Sequence, residues 1–245
     1  MFDKILVPPS NKLISVVKNH GWKDENIIKI NLPRWDKFNF NYFYKNYSYI
    51  NNNNNSIFIM FTWRKIKKNK KISIEYFKNI FNLVNNEKLY LYLKNNNIVL
   101  YFTLHHKLNK FEYKFKKRKY IIFIKEYMIS DCLSKINLLI TDFSSIIFDV
   151  IYRRKPYIIY IPDAYDKEIE NIYERIYYEL IQSLKNNTIY FENKFFTITE
   201  VVNKIKFYII NNFMLEPQLG KFYDLFDLKK GNNTNEFINY ITAIK

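Results

Sequence analysis

The sequence predicts an α/β fold: a Rossmann-like, doubly wound parallel sheet with helices on both faces. Three observations carry that expectation. Short runs that are almost wholly apolar recur along the chain, among them "SIFIMFTW", "NIVLYFTLH", "YIIFI", "NLLIT" and "PYIIYIP". Strands read this way when helices cover the sheet on both sides, as crossover connections in a parallel sheet do. Segments with helical spacing lie between these runs, such as "ISIEYFKNIFNLVNN" and "SSIIFDVIYRR". Finally, 245 residues with 48% hydrophobic content, including 22 Tyr and 22 Phe, can fill a substantial core, which argues against general disorder.

Taken in order, "KILVP" (4–8) is a short buried strand stopped by Pro8-Pro9. "SNKLISVVKNHGW" follows as a helix, with Ser10 as its N-cap and Gly21 just past its end. "NIIKINLP" is a second strand ending at Pro33. After Asp36 the chain turns aromatic and Asn-rich, reaching "NNNNN" at 51–55, so 39–55 is expected to be a linker. From Ser56 the pattern restarts with strand, helix and strand. A Lys-rich loop (107–119) follows, then a strand at 120–124, the short helix "MISDCLSKI", the strand "NLLIT", a helix and the strand "PYIIYIP". The remainder is expected to be mostly helical, with "EVVNKIKFYIINNF" (200–213) the clearest case. The chain thus divides into 1–38, the linker 39–55, a nucleotide-binding type of domain over 56–212, and a helical segment over 213–245.

The formal charge is +16, from 39 basic and 23 acidic residues. Such an excess raises nucleic acid, anionic lipid and phosphate-rich substrates as partners. Nearly all of it is Lys, however, and Lys, Asn, Ile, Tyr and Phe are inflated together, the pattern of a biased gene composition. Nucleic acid is therefore not expected. Cys132 is the only cysteine, which excludes an intramolecular disulfide and fits a reducing compartment. No run approaches 18 apolar residues, and "MFDKILVPPS" lacks a signal-peptide layout. A cytoplasmic protein, soluble or peripheral on a membrane, is expected. There is no metal-ligand spacing, Ser-His-Asp order or Gly-rich nucleotide fingerprint, so no metal or cofactor is expected.

Parallel sheets hold ligands beyond the C-terminal ends of their strands. That directs attention to three junctions: Thr62–Arg64, His105–His106 and Asp142–Ser145. In "LLITDFSSIIFD" (138–149) a strand turns into a helix without glycine. Asp142 or Ser144 can cap the first free N–H groups of the helix. Alternatively, those groups and the Ser144 and Ser145 hydroxyls form a place for phosphate oxygens. An aspartate beside that place would repel the anion unless turned away. Both readings stand on the residues alone.

His105 and His106 end a strand on the same edge, where a histidine can donate to a phosphate or shuttle a proton. On an extended chain they point to opposite sides, so one is expected to serve the site and the other to pack or be solvated. Arg64, at a third strand end, can clamp a diphosphate bidentately or sit in a surface ion pair. The runs "RKIKKNKK" (64–71) and "KFKKRK" (114–119) face solvent by default. A functional reading for them is an anionic membrane surface. Their interleaved aromatics are expected in the core.

At these residues the sequence resembles the CDP-glycerol:glycerophosphotransferase family, the teichoic-acid primases and polymerases of bacterial walls, which have a GT-B fold of two Rossmann-like halves. The specific match is "LLITDFSSIIFDVIYRRKPYIIYIPD" (138–163), similar to the family's "LITDYSS…FD…KKPIIFY…D". "NLPRWD" (31–36) resembles "G-x-P-R-x-D", with Asn31 where Gly is usual. "FTWR" (61–64) resembles "PTWR", with Phe61 in place of Pro. "TLHHK" (103–107) resembles "LHP", with His106 in place of Pro, so that His105 is the family histidine. "KFYDLFDLKKGNNTNEFINYI" (221–241) is similar to the family's closing motif.

The resemblance implies a CDP-glycerol or similar CDP-polyol donor and a lipid-linked polymer or glycan acceptor. An acceptor hydroxyl would attack the β-phosphorus and release CMP. By the same resemblance Ser144 and Ser145 bind the donor diphosphate, with Arg64 nearby. Thr141, Asp142 and Asp149 shape that pocket, and His105 neutralises or protonates the leaving phosphate. The family's earlier "HGTP" motif, whose histidine acts as base toward the acceptor, does not occur here, and "YERIYY" (173–178) is a degraded form of a later one. Residues 1–38 are thus expected to be what remains of an acceptor half. The rest of that half would be missing or supplied by a separate polypeptide, or the chain is an inactive remnant that only holds a CDP-alcohol. A basic nucleic-acid or membrane-surface binder, in which the serines merely cap, is the alternative from another class.

Overall fold

The computed structural model describes residues 4–19, 21–39, 55–62, 65–66, 74–142, 144–162, 169–170, 194–224, 226, 228 and 231–243. An opening unit consists of strand β1 (Ile5–Val7), helix α1 (Asn11–Asn19) and strand β2 (Ile27–Lys29). The two strands pair in parallel, Ile5 opposite Ile27. Gly21, at φ 88°, ends α1 as expected: its N–H reaches the Lys18 carbonyl, and the Trp22 N–H reaches that of Val17. This is a Schellman motif, whose left-handed position suits glycine. Ser10 occupies the expected N-cap position, its carbonyl accepting the Ile14 N–H, but its buried Oγ has no hydrogen-bond partner among the described residues.

A turn at Pro33–Trp35 and the short helix α2 (Asp36–Asn39) follow. The strands then run β3 (Ser56–Met60), β4 (Lys65–Ile66), β5 (Val99–Thr103), β6 (Ile121–Phe123), β7 (Leu138–Thr141), β8 (Tyr157–Tyr160), β9 (Ile169–Glu170) and β10 (Lys194–Phe195). β4 and β9 form a separate antiparallel pair. The other six make one parallel sheet in the order β10-β8-β7-β3-β5-β6. The chain starts in the middle at β3, winds one way through β5 and β6, then returns to build the other side from β7. The winding reverses between β3 and β7, and that is where a doubly wound sheet opens a crevice for ligands.

Helices α3 (Ile74–Val84) and α4 (Glu87–Asn95) connect β3 to β5, α5 (Ile129–Lys135) connects β6 to β7, and α6 (Ile147–Tyr152) connects β7 to β8. The chain closes with α7 (Ile198–Ile210), α8 (Pro217–Asp224) and α9 (Asn233–Ala243). Alternation along the strands sorts the core into two layers. Phe58, Tyr101, Leu139 and Tyr157 pack with α5, α6, α8 and the opening unit, through residues such as Leu133, Val150, Phe222 and Leu13. Ile57, Ile59, Leu100, Phe102 and Ile140 pack on the opposite face with α3, α4 and α7, through Tyr76, Leu93 and Ile205. The strands are near-continuous apolar runs because both faces are covered, as the sequence predicted.

Three local features differ from expectation. The periodicity gave no second helix before β5, yet Asn86 caps α4 by accepting the Leu89 N–H at 2.9 Å, and Leu89 and Leu93 are buried. The Lys-rich stretch is not a plain loop: His106–Lys114 is 3-10 helical, with Leu108 and Phe115 in the core. β10 lies in a region expected to be helical, where two residues suffice to add an edge strand. α7 begins at Ile198, set by a capping box in which Thr197 and Glu200 bond each other's backbone N–H groups.

Candidate functional site

Three strands end level at the crevice, since Met60 stands opposite both Thr103 and Thr141. The segments leaving them carry Thr62, His105 and the Asp142–Ser145 turn. Neighbouring strands lie about 4.8 Å apart, which puts the β5 exit about 10 Å from the β7 exit.

Asp142 is fully buried and joins the two sides of the crevice. Its carboxylate accepts the Thr62 N–H at 3.0 and 3.1 Å, the Thr62 hydroxyl at 2.7 Å and the Tyr76 hydroxyl at 2.7 Å. The Thr141 hydroxyl adds a bond to the Met60 carbonyl at 2.7 Å. The Asp142 charge is therefore engaged toward β3 and α3, so the repulsion expected of an aspartate beside an anion is reduced. Ser144 Oγ lies 3.5 Å from the Ile146 N–H, a long contact before the helix rather than a cap on it, and α6 starts without a side-chain cap. The turn is closed by bonds from the Ile147 N–H to the Ser144 carbonyl at 3.2 Å and from the Phe148 N–H to that of Ser145 at 3.1 Å. Ser144 is buried and Ser145 is exposed.

Asp149, buried within α6, forms a second tie. Oδ1 accepts the Arg34 Nε–H at 2.8 Å and the Trp35 indole N–H at 2.6 Å, and Oδ2 accepts from Arg34 Nη2 at 3.3 Å. The Trp35 ring stacks on Tyr152 at 4.5 Å. The next residue, Asp36, accepts the N–H groups of Asn233 and Thr234 at 2.8 and 2.7 Å and so caps α9. Burial raises the Asp36 carboxyl, but the bonds from Thr234 and Asn233 outweigh it and hold the group below its ordinary value. "NLPRWD" is thus a joint linking the opening unit to α6 and α9.

His105 is half-buried, and its carbonyl takes the Leu108 N–H at 2.7 Å. The expectation that the two histidines diverge is not met. The chain leaves its extended path at His106, and the rings lie 4.1 Å apart. His106 Nδ1 also stands 3.7 Å from the exposed Glu126. Arg64 and the degraded "YERIYY" stretch lie outside the described residues, as does most of "RKIKKNKK".

The second basic run is not simply solvated. Lys116 and Arg118 both bind Glu87, and the Arg118 guanidinium lies 4.5 Å over the Tyr90 ring. Arg118 first, and Lys116 second, pull the Glu87 carboxyl down to about 2. Phe115 in this run is core, as expected, but Tyr113 beside it is exposed. Among the described residues no group of three His, Cys, Asp or Glu could hold a metal ion, and no helix is long and apolar enough to cross a membrane.

Four residues of the site escaped the reading of the sequence. Thr62 was inside a flagged junction but given no role. Arg34 and Trp35 were inside a matching motif but given none. Tyr76 looks like any core aromatic of an amphipathic helix, and only its hydroxyl, aimed at Asp142, distinguishes it.

Comparison with known proteins agrees with this fold. The chain is 28% identical to the minor teichoic acid biosynthesis protein GgaB of Bacillus subtilis (strain 168), over 94% of this chain and 25% of that protein. The wall teichoic acid polymerase TagF superposes with a TM-score of 0.64 at 17% identity, covering 98% of this chain and 56% of that one. The S. aureus MnaA co-structure with UDP superposes at 0.57 and 14% identity, covering 98% and 60%. These likenesses place the sheet in the GT-B class. The chain spans a quarter of the curated relative and little more than half of the solved ones. Residues 1–212 match the family described as CDP-Glycerol:Poly(glycerophosphate) glycerophosphotransferase, and the chain belongs to that family.

Proposed function

We propose that the chain binds CDP-glycerol, or a related CDP-polyol, at the crevice between β3 and β7. There it serves transfer of the polyol phosphate to a hydroxyl of a wall-polymer or surface-glycan acceptor. The observation that carries this reading is the engagement of Asp142 by Thr62 and Tyr76. It leaves the Ser144–Ser145 turn, with the exposed Ser145 outermost, as the face offered to a diphosphate. The acceptor oxygen attacks the β-phosphorus, and the bond from that phosphorus to the CMP oxygen breaks. The electron pair leaves on CMP, where His105 donates a proton or neutralises the charge, and the diphosphate is assigned to Arg64 as well as to the serines. Positioning and charge stabilisation are the main demands of such a step.

The base that takes the acceptor proton is assigned to a segment outside these 245 residues, on the same chain or on a separate polypeptide. Residues 1–38 belong in this reading to the acceptor half. The lysines of 114–119 other than Lys116 would face the anionic inner surface of the membrane.

Calorimetric titration with CDP-glycerol tests the proposal. Micromolar-range binding is expected, and Ser144→Ala/Ser145→Ala should abolish it without unfolding the protein. Absence of binding by the unaltered chain would overturn the reading, as would a salt-sensitive affinity for DNA far above that for CDP-glycerol. CMP release by the isolated chain is expected to be weak or absent, and robust turnover would refute the assignment of the base.

A further inference from the structure

We propose that Arg34 and Trp35 are positioning residues for the donor turn, acting through Asp149; this rests on the reading of Ser144–Ser145 given above. A carboxylate as buried as Asp149 must have its lone pairs and its charge compensated by the protein. The compensation comes from a segment more than a hundred residues away, as two forked bonds from Arg34 and one from the Trp35 indole. A buried ion pair is a poor source of net stability, because its desolvation offsets much of its attraction. What a fork and an indole N–H supply well is direction.

α6 needs that direction. It has six residues, too few to be stable by itself, so its orientation is set by tertiary contacts. Arg34 and Trp35 hold it at two points on one face: the Asp149 carboxylate and the Tyr152 ring, three residues on. The Asp149 N–H in turn bonds the Ile146 carbonyl, and the bonds from Ile147 and Phe148 reach back to Ser144 and Ser145. The grip on α6 therefore passes to the donor turn through three consecutive hydrogen bonds. The grip is anchored on its other side as well, since Asp36 holds the start of α9. A shift of the 33–36 segment would move the serines with it.

The test combines Trp35→Phe, which keeps an aromatic ring against Tyr152 but removes the N–H, with Arg34→Lys, which keeps the charge but removes the fork. Donor affinity is read by calorimetry with CDP-glycerol, and the turn is read by amide exchange at Ile147 and Phe148. The double variant should bind about tenfold more weakly, as expected for an under-satisfied buried acceptor, and its turn amides should exchange faster. Arg34→Gln/Asp149→Asn, an uncharged pair that can still bond, should recover much of both. Asp224→Asn breaks the exposed pair with Arg154 beyond the far end of α6 and should change neither. If the double variant fails to fold, Arg34→Lys alone carries the test, since that side chain is half exposed. A folded variant with unaltered affinity overturns the proposal, whatever its exchange rates. If the unaltered chain binds no donor, the proposed function falls, and unchanged exchange in the variant would separately refute the mechanical link.

Discussion

Thr62 gives Asp142 both of its polar hydrogens: its N–H lies 3.0 Å from Oδ1 and its hydroxyl 2.7 Å from Oδ2. The two residues leave adjacent strands at the point where the sheet changes its direction of winding. The bond pair therefore spans the mouth of the crevice, and it determines which way the aspartate charge faces.

Thr62→Val and Tyr76→Phe each remove one hydroxyl from that carboxylate while keeping the shape of the side chain. Each is expected to cost about 1–3 kcal/mol, the range for an under-satisfied buried acceptor. The two effects should not add, because both hydroxyls serve Oδ2. Urea unfolding of the two single variants and the double variant measures this. Calorimetry should show weaker CDP-glycerol binding in each, since a less engaged Asp142 presents more negative charge to the donor.

Loss of the α7 cap is a test of the scaffold alone. Thr197→Ala removes the side-chain oxygen that accepts the Glu200 N–H and is expected to lower stability by about 1 kcal/mol. A thermal melt checks it. Thr197→Ser should behave like the unaltered protein.

The cap on α9 predicts a pH dependence. The Asp36 carboxyl is held below its ordinary value of 3.8 in the folded chain. A depressed carboxyl contributes stability in full above its unfolded value, and loses it as pH falls through the folded one. α9 should accordingly stay docked at neutral pH and loosen only in acid, below 3.8. Amide exchange at Asn233 and Thr234, followed downward from neutral pH, measures this. In Asp36→Asn the acid-dependent change should disappear.

Cys132 should be inert. Burial pushes its thiol well up, and the nearby Arg153 and Lys135 only partly oppose that shift. Little thiolate is then present at neutral pH. A thiol reagent should label the protein only on unfolding, and rapid labelling of the native chain would contradict the burial of this residue.

The fold was legible because its strands are covered on both faces, so "LLIT" and "YIIY" carry no polar residue except at a strand end. α4 was harder to read, because Tyr90, Leu91 and Tyr92 blur the helical period and the start signal is a single Asn86 side chain. At the site, the positions of Ser144 and His105 follow from strand ends that sequence can mark. The bonds of Asp142 and Asp149 do not, since their partners lie 80 and 114 residues away and only the folded sheet brings them together. The close approach of the His105 and His106 rings was hidden for a related reason: the strand ends at Thr103 and a 3-10 helix begins at His106.

The Asp142–Ser145 turn contains no glycine. Among the described residues positive φ angles occur at Asn97, Arg154, Asn212, Phe213 and Gly21, and none of these is in the turn. A glycine-rich phosphate loop is portable, because its shape is encoded by the short peptide that forms it. Here Asp142 and Asp149, on either side of the turn, are held by cross-links from Thr62, Tyr76, Arg34 and Trp35. Grafting "TDFSS" into another scaffold would therefore transfer the letters without the site, and any transplant would have to carry β3, α3 and the 33–36 joint as well.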